Sequence, residues 1–79
     1  MRMVPVFVNG ARVESAEHAP VIEAVRQWDA SAAREVESGA RALTDSRGLP
    51  LDPAAVVVAG TIVRVVGARE RDPGDADLH

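Results

Sequence analysis

"MVPVFVNGARVES", residues 3–15, alternates apolar and polar side chains on both sides of Asn9-Gly10. Asn-Gly is the dipeptide that most favours a two-residue type I′ hairpin turn, because both positions accept positive φ. The turn fixes a register: Val8 faces Ala11, Phe7 faces Arg12, Val6 faces Val13 and Pro5 faces Glu14. Directly opposed residues share a sheet face. Val4, Val6, Val8 and Val13 therefore make one apolar side, while Pro5, Phe7, Arg12 and Glu14 make the other. The first side is assigned to the core, and Phe7 is left outside.

Downstream, "APVIEAVRQW" (19–28) places Pro20 at a first helical position and Val21, Ala24, Val25 and Trp28 at i, i+3, i+4 and i+7. That is one buried helical stripe, with Trp28 assigned to the core. Asp29 or Ser31 can cap a shorter second stretch through "SAAREVES", closed by Gly39 in a left-handed conformation, so the helix breaks or kinks near Asp29. "RALTDSRGLPLD" (41–52) reads as a strand, a turn over 45–48 and a short return whose Pro50 suits only an edge. Thr61 to Val66 is the last strand. Burying Arg64 would be expensive, so Val63 and Val65 face inward and Ile62, Arg64 and Val66 outward. Beyond it, the segment with Pro73-Gly74 and alternating acids has too little apolar content to repay ordering entropy. The expected organisation is a domain over 1–68 and a flexible acidic tail over 69–79.

Composition limits the chemistry. A chain of 79 residues is one domain, and at this size folding buries only about 60% of the surface that the unfolded chain exposes, which disfavours a deep enclosed active site. There is no Cys, hence no disulfide framework, thiolate nucleophile or Cys-based zinc site. A net charge of −3 argues against a nucleic-acid partner. No apolar run suits a membrane span and no signal-peptide pattern opens the chain, so a cytoplasmic protein without a membrane partner is expected. All 9 cations are Arg. Coding bias accounts for that, and it leaves no side-chain amine for an isopeptide bond.

The order of elements resembles the β-grasp fold of ubiquitin and of the bacterial sulfur carriers of thiamin and molybdopterin biosynthesis: a hairpin with a "VNG" turn, a helix after "EHAPVIEAV", further strands, and "AGTIVRVV" turning on glycine into the last strand. The resemblance covers about residues 1–70. It implies an α+β domain with a mixed, four- to five-stranded sheet packed on one main helix. It also implies a chemistry, in which a C-terminal Gly-Gly carboxylate is adenylated by an E1-like activating enzyme and passed on as a thiocarboxylate, thioester or conjugate. Glycine suits that end because a side chain would block a narrow activating channel.

This chain departs from the pattern, since no Gly-Gly occurs anywhere and the expected position falls near Arg71-Asp72. Three readings stay open. A processing peptidase trims the tail, with Gly74 the best candidate terminus; or the carboxylate of His79 is used directly; or the domain is a noncovalent interaction module. Asp72, Gly74 and His79 are the candidate conjugation or processing residues. Of the carrier readings, a modifier of other proteins is preferred to a sulfur carrier, which rarely needs so polar an extension. In the family the first and last strands lie side by side, which here would gather Phe7, Ile62, Arg64 and Val66 into an outward patch for an activating enzyme, an E2-like conjugating enzyme or a peptidase.

No enzyme active site is expected in the chain itself. His18 has no second ligand at metal spacing, and Asp72, Asp75 and Asp77 near His79 fit no calcium loop. Ser15, Ser31, Ser38 and Ser46 do not combine with two distant His residues into a triad. No metal or cofactor is expected, and a single copy of the chain is the expected state.

Overall fold

A computed structural model describes residues 2–67. The tail assigned to 69–79, with Asp72, Gly74 and His79, lies outside the described residues. The elements are β1 (Met3–Val8), β2 (Ala11–Ala16), α1 (Val21–Trp28), α2 (Ala30–Ser38), β3 (Arg41–Thr44) and β4 (Thr61–Gly67). They form a small α+β fold with a mixed four-stranded sheet in the order β2-β1-β4-β3. The central pair, β1 and β4, is parallel, and β2 and β3 flank it antiparallel.

The hairpin takes the expected register, from Val8↔Ala11 to Pro5↔Glu14, and continues to Met3↔Ala16. Asn9 at φ 51 and Gly10 at φ 84 supply the two left-handed positions that the turn needs. Val4, Val6 and Val8 are buried as the alternation requires. Val13 is only half-buried against this core, because among the described residues β2 is an edge strand with no neighbour to cover it. Pro5 sits in a central strand without cost. Its missing N–H points past the start of β4, which pairs only from Val6↔Thr61, and its carbonyl accepts the Gly60 N–H at 2.8 Å.

The single main helix of the expectation is two helices of comparable length, 8 and 9 residues. Asp29 separates them: with φ −163 it is extended, and its Oδ1 accepts the Ser31 and Ala32 N–H groups as the N-cap of α2. Gly39 closes α2 at φ 90. Both helices press small residues onto one face of the sheet, with Val21, Ala24, Val25, Ala32, Ala33 and Val36 buried together with Leu43, Val63 and Val65. Trp28, assigned to the core, is half-buried at its margin, since α1 ends there and the chain turns away at Asp29. Ion pairs tie the helices on the outside. Arg26 bridges Glu23 at 2.6 Å and Glu37 at 2.8 Å, which raises the pKa of its guanidinium, Glu23 foremost, and Arg41 meets Glu35 at 2.9 Å.

The return after β3 is less than a strand: Pro50 makes a single antiparallel bridge to Thr44, and the Leu51 N–H donates to the Leu43 carbonyl at 2.9 Å. Asp45 builds the turn, its Oδ1 accepting the Arg47 N–H at 2.8 Å and the Leu49 N–H at 3.0 Å. The Leu49 bond first, then the Arg47 N–H and charge, hold the Asp45 carboxyl below its ordinary value of 3.8. A carboxyl depressed on folding contributes stability above its unfolded pKa and loses it as pH falls through the folded value. The stability of the wild type is therefore expected to fall below about pH 4 by more than that of Asp45→Asn. Urea midpoints measured against pH test this, and parallel curves would refute it.

Among the described residues, one buried residue lies outside every strand and helix. Val57 is fully buried in the segment before β4, held by His18 N–H to its carbonyl at 2.8 Å and by its own N–H to Ala19 at 3.0 Å, while Val56 and Val58 are exposed. No helix among the described residues is long and apolar enough to cross a membrane.

Candidate functional site

The outer face of the sheet, opposite the helices, is where the expected patch residues fall. β1 runs parallel to β4 with Phe7 beside Ile62 and Val8 beside Val63. Phe7 also opposes Arg12 on β2, so Arg12, Phe7 and Ile62 make one row across three strands. Ile62 and Arg64 are exposed, and Val63 and Val65 between and beyond them are buried, as the alternation dictates. Phe7 is half-buried rather than fully outside, because its strand is central and has a neighbour on each side.

Phe7, Ile62 and Arg64, with Asn9, Gly10 and Val63, line an open groove of about 590 Å³. Val66 shares their face but not the groove. It lies farther along β4 opposite Ala42 and is half-buried. Arg64 makes no ion pair among the described residues, so it brings an unspent positive charge to a mostly apolar surface. Arg12 contributes less, because Glu14 holds it at 3.0 Å.

The alternation could not disclose Asn9 as a site residue. Beyond turning the hairpin, it continues the parallel ladder past the end of β1. Its N–H donates to the Val63 carbonyl at 3.1 Å, and its Oδ1 accepts the Val65 N–H at 2.9 Å, a donor left without a strand partner where β1 turns off. The tip of the hairpin is thereby fixed to β4, and one wall of the groove is fixed with it. The other end of β4 is anchored by a reciprocal pair: Thr61 Oγ1 accepts the Val58 N–H at 2.9 Å and donates to the Val58 carbonyl at 2.8 Å.

This arrangement can receive an apolar side chain next to an anionic group. Among the described residues no cluster of three or more His, Asp or Glu could hold a metal ion. Comparison of the chain with protein-family models, curated proteins and solved structures found no match.

Proposed function

We propose that the chain is a β-grasp, ubiquitin-like protein modifier. In this reading a carboxylate at His79, or one freed near Gly74 by a processing peptidase, is adenylated by an E1-like activating enzyme and transferred to targets, with an E2-like enzyme as a further partner. The carboxylate oxygen attacks the α-phosphorus of ATP and the bond to pyrophosphate breaks. A nucleophile on the enzyme or target then takes the acyl carbon and AMP leaves. The chain is the substrate of these steps and supplies no catalyst.

The observation that carries the reading is the strand order, with the parallel β1–β4 pair at the centre, the hairpin on one flank and the helices on one face. That order puts the last strand in the middle of the sheet. A partner seated over Phe7, Ile62 and Arg64 therefore lies along the strand from which the following segment departs. Activation by ATP suits a cytoplasmic setting. With no Lys in the chain, a modifier of this kind adds singly rather than building chains on its own side-chain amines.

A noncovalent interaction module is the second reading, favoured by one observation: no two glycines are adjacent anywhere in the sequence. The test separates the two. Chains ending at His79, Gly74 and Gly67 are incubated with ATP and the activating enzyme encoded beside the protein, and intact masses are read. An adenylate, thioester or conjugate is expected on one of the first two and not on the third. If no form reacts, the carrier reading fails and the module stands. Exchange of oxygen for sulfur at the new terminus, with a sulfur donor supplied, would instead identify a sulfur carrier.

A further inference from the structure

The two edges of the sheet are not alike. The end of β3 is shielded by the Leu49–Leu51 return, where the Leu51 N–H donates to the Leu43 carbonyl and the Asp45 N–H, just past the strand, donates to the Leu49 carbonyl. β2 has no strand on its outer side among the described residues. Of the usual guards of an open edge it carries only charged side chains, Arg12 and Glu14, and these are opposite in sign; Ala11–Ala16 contains no Pro and its register runs without a bulge.

Hairpin geometry says which backbone groups are open. In a two-residue hairpin the residues flanking the loop exchange both hydrogen bonds, and pairs alternate from there. Val8–Ala11, Val6–Val13 and Val4–Ser15 are thus the bonded pairs, and the N–H and C=O groups of Arg12 and Glu14 point away from β1. Both side chains stand on the outer face, exposed to 65% and 48%.

We infer that β2 pairs antiparallel with β2 of a second copy about a two-fold axis at Val13, joining two sheets into one. Parity and charge select this register. Only registers that pair outward-pointing residues form backbone bonds; Ala16 also points outward, but its carbonyl already accepts the Ala19 N–H at 3.1 Å, which leaves Arg12 opposite Arg12, Glu14 opposite Glu14, or Arg12 opposite Glu14. The first two set like charges directly across the strands, which is unfavourable. The third sets each Arg12 against the partner's Glu14 in an isologous contact. On the other face it brings half-buried Val13 against the partner's Val13 in a non-bonded pair, where side chains approach most closely. The occupant is a second copy because the edge is complementary to itself, with Arg and Glu at i and i+2. This association does not depend on the proposed function, and it changes the expectation of a single copy.

So short an edge gives weak association, with a dissociation constant of about 100 µM to 1 mM. Sedimentation equilibrium on the full chain at low salt reads it, with exchange protection of the Arg12 and Glu14 amides rising with concentration. Arg12→Glu and Glu14→Arg, both at exposed positions, are each expected to weaken self-association at least about tenfold. An equimolar mixture of the two variants is expected to associate again, because the mixed pair sets carboxylates against guanidiniums. Thermal midpoints near the wild type check that both variants fold. Single copies throughout the concentration range, or association that is indifferent to the variants, would overturn the inference.

Discussion

Asn9→Ala is expected to destabilise the domain by about 2–3 kcal/mol, and Asn9→Gly by about 1 kcal/mol. At φ 51 an alanine is held in left-handed backbone, which costs about 1 kcal/mol or more in a residue that cannot relieve it. Both variants also lose the acceptor for the Val65 N–H, and a part-buried donor left unpaired costs about 1 kcal/mol or more. Glycine removes the first penalty and keeps the second. The difference between the variants therefore measures the turn, and the difference between glycine and wild type measures the bond to β4. For a domain of this length, with total stability of about 4–12 kcal/mol, the loss in the alanine variant is large. Urea unfolding at neutral pH reads it. Equal midpoints for the two variants would mean that the left-handed position is not under strain.

The second large effect concerns partner engagement. Phe7→Ala combined with Ile62→Ala is expected to weaken binding to the proposed activating enzyme by about 100-fold, the loss of about 2–3 kcal/mol that follows when the anchors of an interface are removed. The two side chains are neighbours across the parallel pair and lie on the face away from the helices. The double variant should therefore fold, with the inner Val4, Val6, Val8, Val63 and Val65 untouched. Arg64→Ala is expected to act more weakly and mainly on the association rate, as an exposed charge at a rim does. Titration calorimetry or the KM for adenylation distinguishes these. A folded double variant that binds as the wild type does would remove the outer face from the functional account.

Much of this was legible because it is local. The Asn9-Gly10 turn fixed every opposed pair in the hairpin, and the period-two alternation of β4 told Val63 from Arg64. The break at Asp29 and the stop at Gly39 followed from side-chain and backbone chemistry confined to a turn. What stayed hidden is relational. The parallel pairing of β1 with β4 leaves no periodic mark in either strand, and only their lying side by side is expected, through a resemblance. The bond from Asn9 to Val65 joins residues 56 apart. Val57 lies in a run of three valines whose burial depends on the loop at His18–Pro20 folding over it, and nothing in "AVVVA" separates its middle residue from its neighbours. Trp28 was placed correctly on the helical stripe, yet the stripe itself runs out at the edge of the core.

The position of β1 also orders events in time. One side of the strand pairs across two loop residues, a hairpin closure of about 1–10 µs. The other side waits for β4, on the far side of both helices and β3, and cannot profit from its contacts until that long loop has closed. Asn9 takes part in both, as turn residue in the early step and as acceptor for Val65 in the late one. Its left-handed backbone thus serves the early turn, while its N–H to Val63 and its side chain to Val65 serve the late docking of β4. The groove, assembled from both strands, exists only after the slower step.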